Sequence, residues 1–246
     1  PPPSPVLSPQ HALQSMQMAD GFEMKLAASE PMIQDPVALS FDEDGNLYVV
    51  EMRSFMLDME RKGELEPICR ISLLKDRDND GVMDHSSVFL DELVVPRAVL
   101  ATNGGILFVE DYQLYFAKDT DGDGRADVRE LMDADYGRSN IEHASNGLMR
   151  AMDNWIYNGR SKWRYRWVKG RLIRERTEIR GQWGMTQDEQ GRLFYNVNNS
   201  QLLGDFSPPN YMGRNEHYPT TAGLNLFVAT DQRVFTSRMN TAVNRG

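Results

Sequence analysis

Alternating aspartates in Asp119-Thr120-Asp121-Gly122-Asp123-Gly124-Arg125-Ala126-Asp127 place oxygen side chains at positions 1, 3, 5 and 9 of a short loop, with glycine at position 6. A hard cation such as Ca²⁺ takes six to eight oxygens at about 2.3–2.6 Å, and carboxylates at alternate positions of a curled loop supply them. The spacing predicts Asp119, Asp121, Asp123 and Asp127 as side-chain ligands and the backbone carbonyl of Arg125 as another, with Gly124 permitting the sharp turn. Glu130 even stands at position 12 of the EF-hand loop pattern. The preceding Gln113-Leu114-Tyr115-Phe116-Ala117 reads as a strand, however, which is not how an EF-hand enters its loop.

The same spacing returns in Asp76-Arg77-Asp78-Asn79-Asp80-Gly81-Val82-Met83-Asp84 after a similar apolar run. It predicts Asp76, Asp78, Asp80, Asp84 and the carbonyl of Val82 as ligands, with Ser87 in place of the position-12 acid. Two acidic turns without an ion are the plain alternative, because Asp and Gly favour turns in any case. Four like charges in nine residues repel one another unless a cation joins them. Such loops staple structure and do no chemistry.

For proton chemistry His143 is the best candidate base, since it stands just before a hairpin strand and histidine titrates near neutrality. Arg180, ahead of a later hairpin, can pair with anionic oxygens, and Asn146, Asn198 and Asn199 are candidate neutral donors. Each has a structural counterpart: a satisfied histidine in a turn, or one more arginine on an arginine-rich face that includes Arg160, Arg164, Arg166, Arg171, Arg174 and Arg176. Glu51 and Arg53 either line a channel or pair with each other. Trp155, Trp163, Trp167 and Trp183 fall at strand positions, where aromatic rings pack. His11, His85 and His217 show no ligand spacing.

Composition narrows the partners. The 246 residues can bury a large core, and the net charge of −9 with no basic run argues against nucleic-acid binding. Filling both acidic loops with Ca²⁺ brings that charge to roughly −5. The single cysteine, Cys69, rules out an internal disulfide and a c-type haem motif, and beside Ile68 and Ile71 it reads as a small buried hydrophobe. No apolar run approaches the roughly 18 residues of a transmembrane helix, and no signal-peptide pattern is present. Low cysteine use with calcium loops suits a periplasmic or extracellular setting.

These residues are carried by a repeating element. A proline-rich arm leads into a short helix, with Ser8 as N-cap and Pro9 at the first position, so residues 1–20 form an arm ahead of the main domain at 21–246. Gly21–Ala28 alternates apolar and polar residues and reads as a strand. Then strand–turn–strand units recur with their turns at Gly45, Gly104, Asn154 and Gly191, and further strands lie between them, including a Lys169-Gly170 hairpin within 163–179. Hairpins at intervals of roughly 40–60 residues, each with two more strands, describe four-stranded propeller blades. The chain is therefore expected to be all-β, a β-propeller with about four blades. The tail shows only strands near 224–229 and 233–237, so a larger, six-bladed ring left incomplete at its C-terminus is the expectation.

Glu30-Pro31 through Asp35-Pro36-Val37-Ala38, Phe41–Gly45, Val50-Glu51-Met52-Arg53, Lys118–Asp127, His143–Leu148, Asp153–Tyr157 and Val243–Gly246 together resemble the membrane-bound dehydrogenase domain abundant in planctomycetes. The resemblance runs over nearly the whole chain from about residue 8. That family is similar to the soluble quinoprotein glucose and sorbosone dehydrogenases, six-bladed propellers that hold pyrroloquinoline quinone (PQQ) and Ca²⁺. The resemblance implies oxidation of a small sugar or alcohol, with His143 as the base taking the hydroxyl proton, and Arg180 could pair with quinone oxygens or carboxylates. It also implies a cytochrome c domain or subunit as electron acceptor and membrane association through a partner. The family pattern continues past Gly246, so the chain is expected to be a fragment, a processed piece or one half of a split propeller that a second polypeptide completes. A non-catalytic calcium-stapled propeller, acting as a binding or assembly subunit, is the alternative. A Ca²⁺-dependent, lactonase-like hydrolase is a third reading and requires acid ligands converging on the axis.

Overall fold

The computed structural model describes residues 5–212, 215, 217 and 222–233. Among them one short helix, α1 (Pro9–Ser15), precedes sixteen strands in four sheets. The first sheet holds β1 (Pro36–Phe41), β2 (Leu47–Glu51), β3 (Cys69–Lys75) and β4 (His85–Leu93), the second β5 (Ala98–Thr102), β6 (Gly105–Glu110), β7 (Gln113–Lys118) and β8 (Val128–Asp133). The third holds β9 (Asn146–Arg150), β10 (Ile156–Gly159), β11 (Trp163–Val168) and β12 (Arg171–Arg176), the fourth β13 (Trp183–Gln187), β14 (Leu193–Val197), β15 (Ser200–Gly204) and β16 (Leu226–Phe227). Every sheet is an antiparallel meander with its strands in chain order, the unit from which propellers are built. The fold is all-β and propeller-like.

Local chemistry explains the elements. Ser8 caps α1 by accepting the His11 N–H at 3.3 Å, and Pro9 opens it. All four expected hairpins form, as does the β11–β12 hairpin. At the third hairpin the left-handed turn position (φ 64) is taken by Asn154, the non-glycine residue that tolerates it best. Gly21–Ala28 forms no strand. It runs beside the first acidic loop, with one backbone bond from Met83 N–H to Ala27 O at 2.8 Å and the Lys25 ammonium on Asp80 O at 3.0 Å, so its alternating Phe22 and Met24 stay exposed. Among the described residues of the tail, Leu226–Phe227 pairs with β15, and the strand expected at 233–237 lies, beyond Arg233, outside the described residues.

The chain divides into two compact units, one of Pro1–Ile106 with Ala117–Arg129 and one of Leu107–Phe116 with Glu130–Gly246. In the first, Leu47, Val49, Leu74 and Met83 form a buried cluster with Ala28, Met32 and Ile33 packed against it. Cys69 is fully buried there, its Sγ 3.2 Å from Ser54 Oγ, as a small hydrophobe would be. Val37, Leu39 and Phe41 of β1 point outward and form an exposed apolar stripe. In the second unit Ala151, Trp155, Tyr157, Leu193, Tyr195 and Leu203 make the core, joining the third and fourth sheets.

Candidate functional site

Both acidic loops belong to the first unit. In the loop after β3, carboxylate oxygens of Asp76, Asp78 and Asp80 lie within 4.8 Å of one another, and in the β7–β8 loop those of Asp119, Asp121 and Asp127 do the same. Three hard oxygens on so small a perimeter can hold a calcium ion. Asp84 and Asp123 stand outside these sets: Asp84 accepts the Arg77 N–H at 3.3 Å and Asp123 the Arg125 N–H at 2.8 Å. The N–H of Val82 is on Asp80 at 2.7 Å. The Gly81 N–H holds the Asp76 carboxyl below the ordinary carboxylate range. For Asp119 partial desolvation pushes upward, but the N–H groups of Gly124, Gly122 and Asp121 outweigh it and the net shift is downward. Asp76 and Asp119 therefore keep their charge further into acid than an ordinary carboxylate.

The second loop is also latched to β4. Ser87 Oγ donates to Gly124 O at 3.1 Å and the Ala126 N–H to Phe89 O at 2.9 Å. Gly124 sits at φ +87, and a Cβ there would fall 2.8 Å from Ser87 Oγ, so the close approach requires glycine. Occupied loops should stabilise the fold by linkage. For weak extracellular-type sites with Kd near 10⁻⁴ M, about 10 mM Ca²⁺ contributes roughly 2.7 kcal/mol per site. Thermal unfolding with Ca²⁺ against EDTA is expected to show a rise of several degrees, with a smaller rise in Asp119→Asn. An unchanged midpoint in calcium would remove the loops as ion sites.

In the second unit, the loop that carries His143 just before β9 is tied to the start of β13. Trp183 Nε1 donates to Glu142 O at 3.2 Å, and the His143 and Trp183 rings lie 5.7 Å apart. Asn146 Nδ2 donates to Ala144 O at 2.9 Å and Gln182 O at 2.8 Å, so this buried amide is already committed. Gln182 decides the state of the imidazole. Its Oε1 accepts the Asn198 N–H at 3.0 Å, which turns its amide nitrogen toward His143 Nδ1. An amide nitrogen donates, so Nδ1 accepts and the neutral ring carries its proton on Nε2. The reverse tautomer would set the Gln182 NH₂ against the Asn198 N–H, donor against donor. In that tautomer His143 presents its Nε2–H, 3.8 Å from the Glu142 carboxylate.

Arg180 does not face an open site. It is 1% exposed, and its Nε donates to Asp205 Oδ2 at 2.5 Å while Nη1 donates to Thr177 Oγ1 and Glu178 O, both at 2.8 Å. Tyr195 OH and the Asn225 N–H complete the shell of Asp205 at 2.5 and 3.1 Å, and burial together with that carboxylate pushes the Tyr195 phenol up. Asn198 and Asn199 occupy the exposed β14–β15 turn. The structure thus gathers His143, Asn146 and Asn198 around Gln182 and commits Arg180 elsewhere. Gln182 and Asp205 escaped the sequence reading because an isolated Gln or Asp carries no spacing signal.

PQQ bears three carboxylates and needs cations around it. Near His143 the exposed Arg160, whose Nε is 3.4 Å from His143 O, is one cation that could meet a quinone carboxylate. Glu51 and Arg53 of the first unit pair with each other: Glu51 is fully buried and accepts from Arg53 Nη2 at 2.7 Å, Arg70 Nε at 2.8 Å, the Gln34 N–H at 2.7 Å and Ser72 Oγ.

Comparison with solved structures places this architecture. A calcium structure of a Trichoderma reesei carbohydrate-active enzyme of family AA12 matches with a TM-score of 0.52 at 14% identity, over 84% of this chain and 57% of its own. The holo PQQ domain of pyranose dehydrogenase from Coprinopsis cinerea matches with a TM-score of 0.49 at 13% identity, over 75% and 49%. A gluconolactonase from Xanthomonas campestris matches with a TM-score of 0.46 at 14% identity, over 72% and 60%. The chain thus spans 49–60% of the length of these structures, and the likeness is one of fold. No curated protein matches the sequence. A family model does match, over residues 8–245, and the chain belongs to that family, described as a domain of unknown function (DUF7133).

Proposed function

We propose that this chain is the calcium-stapled binding and assembly part of an extracytoplasmic, sugar-handling propeller protein of the quinoprotein-dehydrogenase kind, with the redox chemistry carried outside it. The observation that carries this reading is the closure of the buried Arg180 onto Asp205, Thr177 and Glu178, which leaves only its Nη2 without a partner among the described residues. The fold likeness to a carbohydrate-active enzyme supports sugars or simple alcohols as the molecules handled. Further blades, from a second polypeptide, cover the stripe of Val37, Leu39 and Phe41. A cytochrome c domain or subunit accepts the electrons, and the assembly works in the periplasm or outside the cell, held to the membrane through a partner.

A second reading makes this chain the oxidising unit itself, and the exposure of the His143 side chain, 27%, favours it. There PQQ would supply the hydride-accepting quinone, and His143 would offer its Nε2–H to an oxygen. The two readings part in one experiment. The chain is mixed with Ca²⁺, PQQ, glucose and a reducible dye, alongside His143→Ala. Under the binding reading, dye reduction stays within about twofold of free PQQ and is the same in the variant. Glucose-dependent reduction that disappears in His143→Ala would overturn it and establish the second.

A further inference from the structure

A cleft of about 480 Å³ opens in the second unit where β9 turns into β10, at the end of β9 away from His143. That volume lies in the range of small-molecule sites. Arg164 and Arg166 share one face of β11 and line the cleft, their guanidinium carbons 4.2 and 4.5 Å from the Trp155 ring centroid. Arg164 is buried and committed, donating to Tyr157 OH at 2.9 Å and to Glu175 Oε1 at 2.7 Å. Arg166 rests on the indole with no carboxylate in ion-pair range among the described residues, and its Nε is buried without a partner. The one acid in the lining, Asp153, accepts the Tyr157 OH at 2.8 Å and lies 3.8 Å from Arg164. The cleft therefore sets two guanidinium groups against one carboxylate, in a chain whose net charge is −9. Tyr211, Pro208 and Pro209 give it an uncharged rim.

A guanidinium laid on an indole is pre-organised: the stacking fixes its plane, and its in-plane N–H edge suits the two oxygens of a carboxylate or phosphate. Arg164 is neutralised by its own neighbours, so Arg166 supplies the uncompensated charge. We propose that this cleft binds a small organic anion of monosaccharide size, a sugar acid or sugar phosphate. Its charged group sits on Arg166 and its ring lies against Tyr211 and the Pro208-Pro209 rim. The site goes beyond the binding role proposed above and shares no residue with the His143 cluster, so either can fail while the other stands.

Isothermal titration calorimetry on the intact chain tests it with glucuronate, glucose 6-phosphate, glucose and inorganic phosphate. At least one sugar anion is expected to bind, with glucose at least about tenfold weaker. Arg166→Gln is expected to weaken the sugar anion about tenfold or more, the usual effect of losing a charged hydrogen bond. Tyr211→Ala, at an exposed rim position, should cost the sugar anion severalfold and leave inorganic phosphate unchanged. Absence of binding by both sugar anions, equal binding of glucose, or undiminished binding by a folded Arg166→Gln would overturn the proposal. So would inorganic phosphate binding as tightly as glucose 6-phosphate, because the rim would then contribute nothing.

Discussion

Asp205→Ala is expected to destabilise the second unit by about 3–5 kcal/mol, the usual result of leaving a buried charge without its partner. Arg180 is 1% exposed, its ion-pair partner is Asp205, and its remaining contacts with Thr177 Oγ1 and Glu178 O are neutral. The loss also strips the acceptor from Tyr195 OH and leaves the Asn225 N–H with Tyr195 OH alone, so Arg180 Nε and Tyr195 OH lose their oxygen together. In a domain of this size the midpoint of thermal unfolding should fall on the order of 10 °C, followed by circular dichroism. The double variant Arg180→Met with Asp205→Leu should recover most of the loss, because apolar residues of similar volume often replace a buried pair at little cost. If Asp205→Ala unfolds within 2 °C or so of the parent, Arg180 is not held by that carboxylate and is open to a cofactor after all.

Glu51→Gln is expected to cost the first unit about 3 kcal/mol at neutral pH, and the cost should vanish in acid. Glu51 is fully buried, and its desolvation pushes the carboxyl upward; bonds from Arg70, Ser72, Arg53 and the Gln34 N–H outweigh that and hold it below the ordinary glutamate range. A carboxyl whose folded value is depressed stabilises the fold above its unfolded value, about 4.3, and loses that stability as pH falls through the folded value. Urea unfolding of parent and variant should therefore differ most at pH 7 and converge below about pH 4. A gap that stays constant down to pH 3 would mean that the effect is one of packing and not of charge.

Much of the architecture is legible because it is local. A residue that accepts positive φ fixes a hairpin turn locally, so Asp44-Gly45, Asn103-Gly104, Asp153-Asn154 and Gln190-Gly191 mark their turns without any distant contact. The acidic loops are legible for the same reason, since their clustered carboxylates are near neighbours in the chain. The Gly21–Ala28 expectation failed because alternation signals a strand only where another strand is free to pair with it, and Lys25 and Ala27 are engaged by the acidic loop instead. The candidate site was less legible. Arg180 was expected on quinone oxygens or carboxylates, and the carboxylate it meets lies 25 positions on, at Asp205, which nothing in the intervening sequence announces. The hydrogen-bond role of His143 Nδ1 follows from which way the Gln182 amide faces, and that is set by a backbone N–H at Asn198, a group common to almost every residue type.

The lone thiol of Cys69 has a kinetic consequence. With no exposed surface and with Ser54 Oγ against it, the sulfur meets an alkylating reagent only while the first sheet is open. Since the chain has one cysteine, each opening that is captured leaves a single covalent mark, with no second thiol for exchange. When reclosing outpaces the reagent, the labelling rate is the intrinsic thiol rate multiplied by the open fraction. Cys69 is thus a built-in clock for the first sheet alone, one that can be read with no spectroscopic contribution from the tryptophans, all of which lie in the second unit.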